Sequence, residues 1–142
     1  MGVRIRGVLA AAAAALLLAG CGGQSGPADE QSSNGAPRVE GLRVELDAQT
    51  QDPCFREPAE LAPADCQKYI TQLTSTPESA EKVTRSGPAL KEAAQRLREG
   101  ITAYRDHGCA SVTSENEECT QALRTVADAL RAMRQALETG TG

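Results

Sequence analysis

Two stretches decide the fold: Leu90–Ala110, LKEAAQRLREGITAYRDHGCA, and Cys119–Thr139, CTQALRTVADALRAMRQALET. In the first, Leu90, Ala94, Leu97, Ile101 and Tyr104 recur at spacings of four and three. In the second, Cys119, Leu123, Val126, Leu130, Met133 and Leu137 do the same. A seven-residue period returns to one helix face every two turns, so each stretch predicts an amphipathic helix that needs a partner along its whole length. Ala122, Ala129 and Ala136 flank the second seam, and side chains that small let two helices approach closely. The connection between the seams is short, which predicts an antiparallel helical hairpin.

The helix ends carry their own signals. Gly108 stops the first helix. Ser114, with Glu117 three residues on, reads as a capping box opening the second. Glu115, Glu117 and Glu118 near its start, and Arg131 and Arg134 toward its end, suit the helix dipole. Upstream, Pro63 is placed to open a helix with Asp65 in its first turn. Cys66, Ile70 and Leu73 share a face there, and Pro77 ends the run. Thr76-Pro77-Glu78 starts a second short helix expected to reach about Arg85, and Ser86-Gly87-Pro88 interrupts it.

Earlier still the pattern weakens. Leu42, Val44 and Leu46 alternate as in a strand, although Val39, Leu42 and Leu46 also fit one helical face. Gly41 weighs against a helix, so residues 39–57 are expected to be extended or irregular. Gly22 to Pro37, GGQSGPADEQSSNGAP, has no apolar side chain larger than alanine and reads as a disordered spacer. The expectation is an all-α fold: a helical bundle over residues 58–142, with an antiparallel C-terminal hairpin, hung on a disordered tether over residues 21–38.

The N-terminus explains what the tether is for. Arg4 and Arg6 precede an apolar run from Val8 to Leu18, too short for a hydrocarbon core that needs roughly twenty residues. The run closes on Leu18-Ala19-Gly20-Cys21, which resembles the lipobox of bacterial lipoproteins. The resemblance implies removal of residues 1–20 by cleavage between Gly20 and Cys21. It also implies acylation of the Cys21 thiol, and residence at the cell membrane on the extracytoplasmic face. A thiolate is a suitable nucleophile for making such a thioether. Several acyl chains, at about 0.8 kcal/mol per buried methylene, hold a protein stably where one is marginal. The resemblance covers 21 of the 142 residues.

Export gives the other cysteines a meaning. Cys54, Cys66, Cys109 and Cys119 are an even number in an oxidising compartment, and so read as two disulfides. If the helix opening at Pro63 packs antiparallel to the 90–104 helix, all four thiols gather at the connecting end of the hairpin. Geometry then leaves all three pairings open. Sequential pairing closes the shortest loops and is the expectation. Such staples suit this chain, because one Phe, two Tyr and no Trp make a small aliphatic core.

Several functions find no support in the residues. His107, Cys109, Cys119 and the Glu115–Glu118 acids are metal-ligand types, but their spacing matches no standard zinc arrangement. No metal or cofactor is expected. His107 is the single histidine, and at a helix C-terminus it suits the dipole better than acid–base chemistry. No phosphate loop, nucleophile elbow or zincin motif occurs, so catalysis is not expected. The formal charge is −4, and −6 once Arg4 and Arg6 are removed, which does not suit nucleic acid. Lys91, Arg98 and Arg105 form a seven-spaced row that could select a partner helix, but reads first as the solvated flank of a bundle. The expected role is a binding module contacting an envelope protein, with the seams as contact surface wherever the chain leaves them unsatisfied. A ligand carrier with an apolar cavity between helices is the alternative.

Overall fold

A computed structural model describes residues 36–83 and 87–140. The signal run, Cys21, the spacer up to Gly35 and Arg85 lie outside the described residues. Among the described residues every regular element is helical: α1 (Ala36–Gln49), α2 (Pro53–Arg56), α3 (Gln67–Gln72), α4 (Thr76–Glu81), α5 (Pro88–Asp106) and α6 (Glu117–Thr139), joined by 3-10 turns at Pro63–Cys66, Leu73–Ser75 and Cys109–Ser111. The all-α bundle and its C-terminal hairpin are as the heptads require.

Among the described elements, α5 and α6 form the most extensive packing. All eleven seam residues, Leu90 to Tyr104 and Cys119 to Leu137, are at most 5 % exposed. The seams are therefore satisfied within the chain. Ala122 and Ala129 are buried beside them and Ala136 is half-buried. Gly100, on α5, supplies the closest approach: a Cβ there would stand 2.8 Å from Val126 Cγ2 and 3.0 Å from the Val126 amide nitrogen. Real side chains do not tolerate that spacing, so the glycine lets the two backbones meet. At the turn, Gly108 adopts φ 64°, the left-handed conformation that ends α5.

Three expectations are corrected. Residues 39–57 are not extended: α1 covers Ala36–Gln49 and α2 covers Pro53–Arg56. Burial explains the choice, because Leu42 and Leu46 are buried with Val39 packed beside them, while Val44 is 62 % exposed. The helical face won over the alternation, and Gly41 lies where a side chain would meet nothing within 4 Å. The bundle thus includes residues 36–57, and the first turn of α1 occupies the end of the segment assigned to the tether. α1 runs antiparallel to α6: Arg43 donates to the Leu137 carbonyl at 3.0 Å, and Arg134 pairs with Asp47 at 3.2 Å. Where α1 meets α4, the buried Thr76 hydroxyl donates to Glu45 Oε1 at 2.8 Å and accepts from Gln49 Nε2 at 2.6 Å.

The second correction concerns residues 63–76, which break into a 3-10 turn, α3 and another 3-10 turn instead of one helix. Cys66, Ile70 and Leu73 are nonetheless all buried. The third concerns the start of α6. Asn116 is the N-cap, and its side-chain oxygen accepts from the Cys119 amide at 2.9 Å, so Ser114 and Glu117 form no capping box. The late arginines of α6 serve packing: Arg131 lies 4.8 Å from the centroid of the Phe55 ring, and Arg134 reaches α1.

Candidate functional site

One disulfide staples the connecting end of the hairpin, and the other ties α2 to the Pro63–Cys66 turn that packs on that end. Cys54 bonds Cys66 and Cys109 bonds Cys119, with Cα–Cα distances of 5.7 Å and 5.5 Å. All four half-cystines are buried. The pairing is sequential, and each bond closes a short loop. Asp52 caps α2 by accepting from the Cys54 amide at 2.8 Å, which fixes one half-cystine, while the Asn116 cap fixes Cys119.

Two hydrogen bonds tie the stapled segments together. The Tyr104 hydroxyl, buried on α5, donates to the Pro63 carbonyl at 2.6 Å. The Ala64 amide donates to the Val112 carbonyl at 2.9 Å. The Pro63–Cys66 turn is therefore docked on the Cys109–Ser111 turn, as antiparallel packing against α5 demands. Burial, with the Asp65 carboxylate nearby, pushes the Tyr104 hydroxyl above the ordinary tyrosine range.

Beside this end, Phe55 and Tyr69 are buried against α6 and the loop that carries Asp52. The Tyr69 hydroxyl has no hydrogen-bond partner among the described residues. Burial raises its pKa strongly; the Asp52 carboxylate adds to the rise and the Arg131 guanidinium opposes it. The neutral phenol is held as a packing group.

His107 caps the C-terminal end of α5, and its Nδ1 lies 3.4 Å from Glu118 Oε2 across the turn. Both side chains are exposed. No group of three metal-ligating side chains comes together among the described residues. The cysteines that sequence reasoning set beside His107 are in disulfides, so they offer no thiolate to a metal or a substrate.

In the basic row, Arg98 is committed within the chain. It pairs with Glu81 of α4 at 2.6 Å and holds that carboxyl below its usual range, chiefly through the hydrogen bond. Lys91 and Arg105 are exposed on either side of it. A shallow groove of about 130 Å³ lies between α1 and α6, lined by Arg43, Leu46, Asp47, Arg134, Leu137 and Glu138. The Arg134–Asp47 pair crosses it.

The lipidation position Cys21 and the cleavage neighbour Gly20 lie outside the described residues. No described helix is long and apolar enough to cross a membrane. The chain matches no family model, no curated protein and no solved structure.

Proposed function

We propose that this protein is a bacterial lipoprotein: acylated Cys21 tethers a disulfide-stapled helical bundle to the cell membrane, facing away from the cytoplasm. The bundle is a non-catalytic binding module for another envelope component. The observation that carries the anchor is the allocation of the cysteines. Four of the five are consumed in two buried disulfides, and the fifth closes Leu18-Ala19-Gly20-Cys21. A chain that pairs its folded cysteines completely has one thiol left for a lipid, at the position the lipobox pattern requires.

The binding role takes its support from what the fold does with its surface. The seams are buried internally, so a partner meets the polar outer faces of the helices and the stapled end. Contact through such faces depends on charge and shape more than on apolar area. The tight α5–α6 approach at Gly100 leaves no space for a ligand between those two helices at that level, which disfavours the carrier reading.

Detergent partitioning tests the anchor. Native protein from membranes should enter the detergent phase on cloud-point separation, and Cys21→Ser should be soluble or retain its signal. Equal entry of both forms into the detergent phase overturns the proposal.

A further inference from the structure

α1 lies N-terminal to both disulfides and contains no cysteine, so it can leave the bundle with both bonds intact. Its apolar hold is small. Among its described side chains Leu42 and Leu46 are the buried apolar ones, with Val39 partly buried. α5 and α6, by contrast, each bury a seam along their whole length. α1 packs on α4 and on α6 far less extensively than α5 and α6 pack on each other.

The rest of the attachment is polar. Arg38 and Arg43 donate to the Lys82 and Leu137 carbonyls, and Glu45 and Gln49 meet the Thr76 hydroxyl. Asp47 pairs with Arg134 at a solvent-exposed site, a contact that exchanges for water at little cost. Docking also leaves the buried Gln49 Oε1 without a donor among the described residues, an acceptor that water satisfies once the helix is released. Nor does the helix sustain itself. Gly41 lies in its interior, no acid stands in its first turn and no base in its last. An isolated helix of 14 residues is marginal in water.

We propose that α1 is a releasable strap. It opens as a unit from α4 and α6 while the α5–α6 hairpin and both disulfides stay in place. Release uncovers the α4–α6 face on which Leu42 and Leu46 sit, including the side of Leu137 that lines the groove with Leu46. A bundle whose seams are buried thereby gains an apolar face, in equilibrium with the covered one. The opening is the same with or without a lipid on Cys21.

Hydrogen exchange of the oxidised protein, read by mass spectrometry where exchange follows equilibrium opening, tests the strap. After correction for intrinsic rates, amides of residues 40–49 should exchange at least about tenfold faster than those at the centres of α5 and α6. They should still exchange more slowly than a free peptide. Ile101→Val, on the α5 seam, separates local from global opening. It should speed exchange at the centres of α5 and α6 by about threefold or more and leave residues 40–49 unchanged. Residues 40–49 that exchange no faster than the hairpin, or that speed up with it in the variant, overturn the strap, because α1 then opens only when the whole domain unfolds. Exchange of those residues at the free-peptide rate overturns it too, since no docked state would exist to be released.

Discussion

Leu97→Asp and Leu130→Asp each unfold the domain at room temperature. Both leucines are fully buried, at 0 % exposure, on the facing seams of α5 and α6. Removing the side chain from such a site costs about 2–5 kcal/mol. Desolvating an unpartnered carboxylate adds a further penalty of several kcal/mol. Against a total stability of about 5–15 kcal/mol for a domain of this kind, either substitution is decisive. Circular dichroism and a thermal melt read the outcome. Val44→Asp is the control: Val44 is 62 % exposed, so its replacement should shift stability by no more than about 0.5 kcal/mol. A folded, cooperative Leu97→Asp or Leu130→Asp variant that had merely lost an association would mean that the seam serves a partner and not the chain itself.

Reduction has the next largest effect. The two bonds close loops with sequence separations of 12 and 10. Each stabilises the fold by roughly 2–3 kcal/mol on the loop-entropy account. For a domain of about a hundred residues, 1 kcal/mol moves the melting temperature by about 4–8 °C. Losing both bonds should therefore lower Tm by at least about 15 °C, enough to leave little folded protein at growth temperature. The core has no aromatic reserve to offset this, since Phe55, Tyr69 and Tyr104 are already buried in it. Single replacements of Cys109 and Cys54 by serine, each with its partner, divide the loss. The Cys109–Cys119 bond closes the hairpin itself, and the Cys54–Cys66 bond holds the Pro63–Cys66 turn against it. Reduced protein melting within a few degrees of the oxidised form would remove the staples from the stability account.

The hairpin was legible because its signal is a sum over many residues. Five seam positions on α5 and six on α6 point the same way, and no single substitution could disguise the period. The cysteine pairing was legible through loop length alone, since four thiols at one pole leave three pairings open and sequential pairing closes the shortest loops. α1 was misread because its signal is thin. Leu42 and Leu46 serve a strand and a helix equally well, and Gly41 lowers helix propensity by about 1 kcal/mol relative to alanine. Only the grooves offered by α4 and α6 decide between the two, and those are tertiary facts. Pro63–Thr76 kept the expected buried face but not the expected helix, because the Pro63–Cys66 turn must meet both a disulfide and the Val112 carbonyl. Asn116 was overlooked because Ser114 with Glu117 fits a familiar capping pattern; an asparagine directly before the first acidic turn was the available clue. Gly100 stands between the seam residues Leu97 and Ile101, and its role emerges only against Val126.

A cysteine inventory of the protein purified from membranes tests the central claim most directly. The protein is denatured without reductant in the presence of an alkylating reagent, digested, and mapped by mass spectrometry. The account predicts a Cys54–Cys66 peptide pair, a Cys109–Cys119 pair, and an N-terminal peptide that begins at Cys21 and carries a thioether-linked lipid. No cysteine should take up the reagent. An alkylated Cys21, or a disulfide joining Cys21 to any of the other four cysteines, would contradict it.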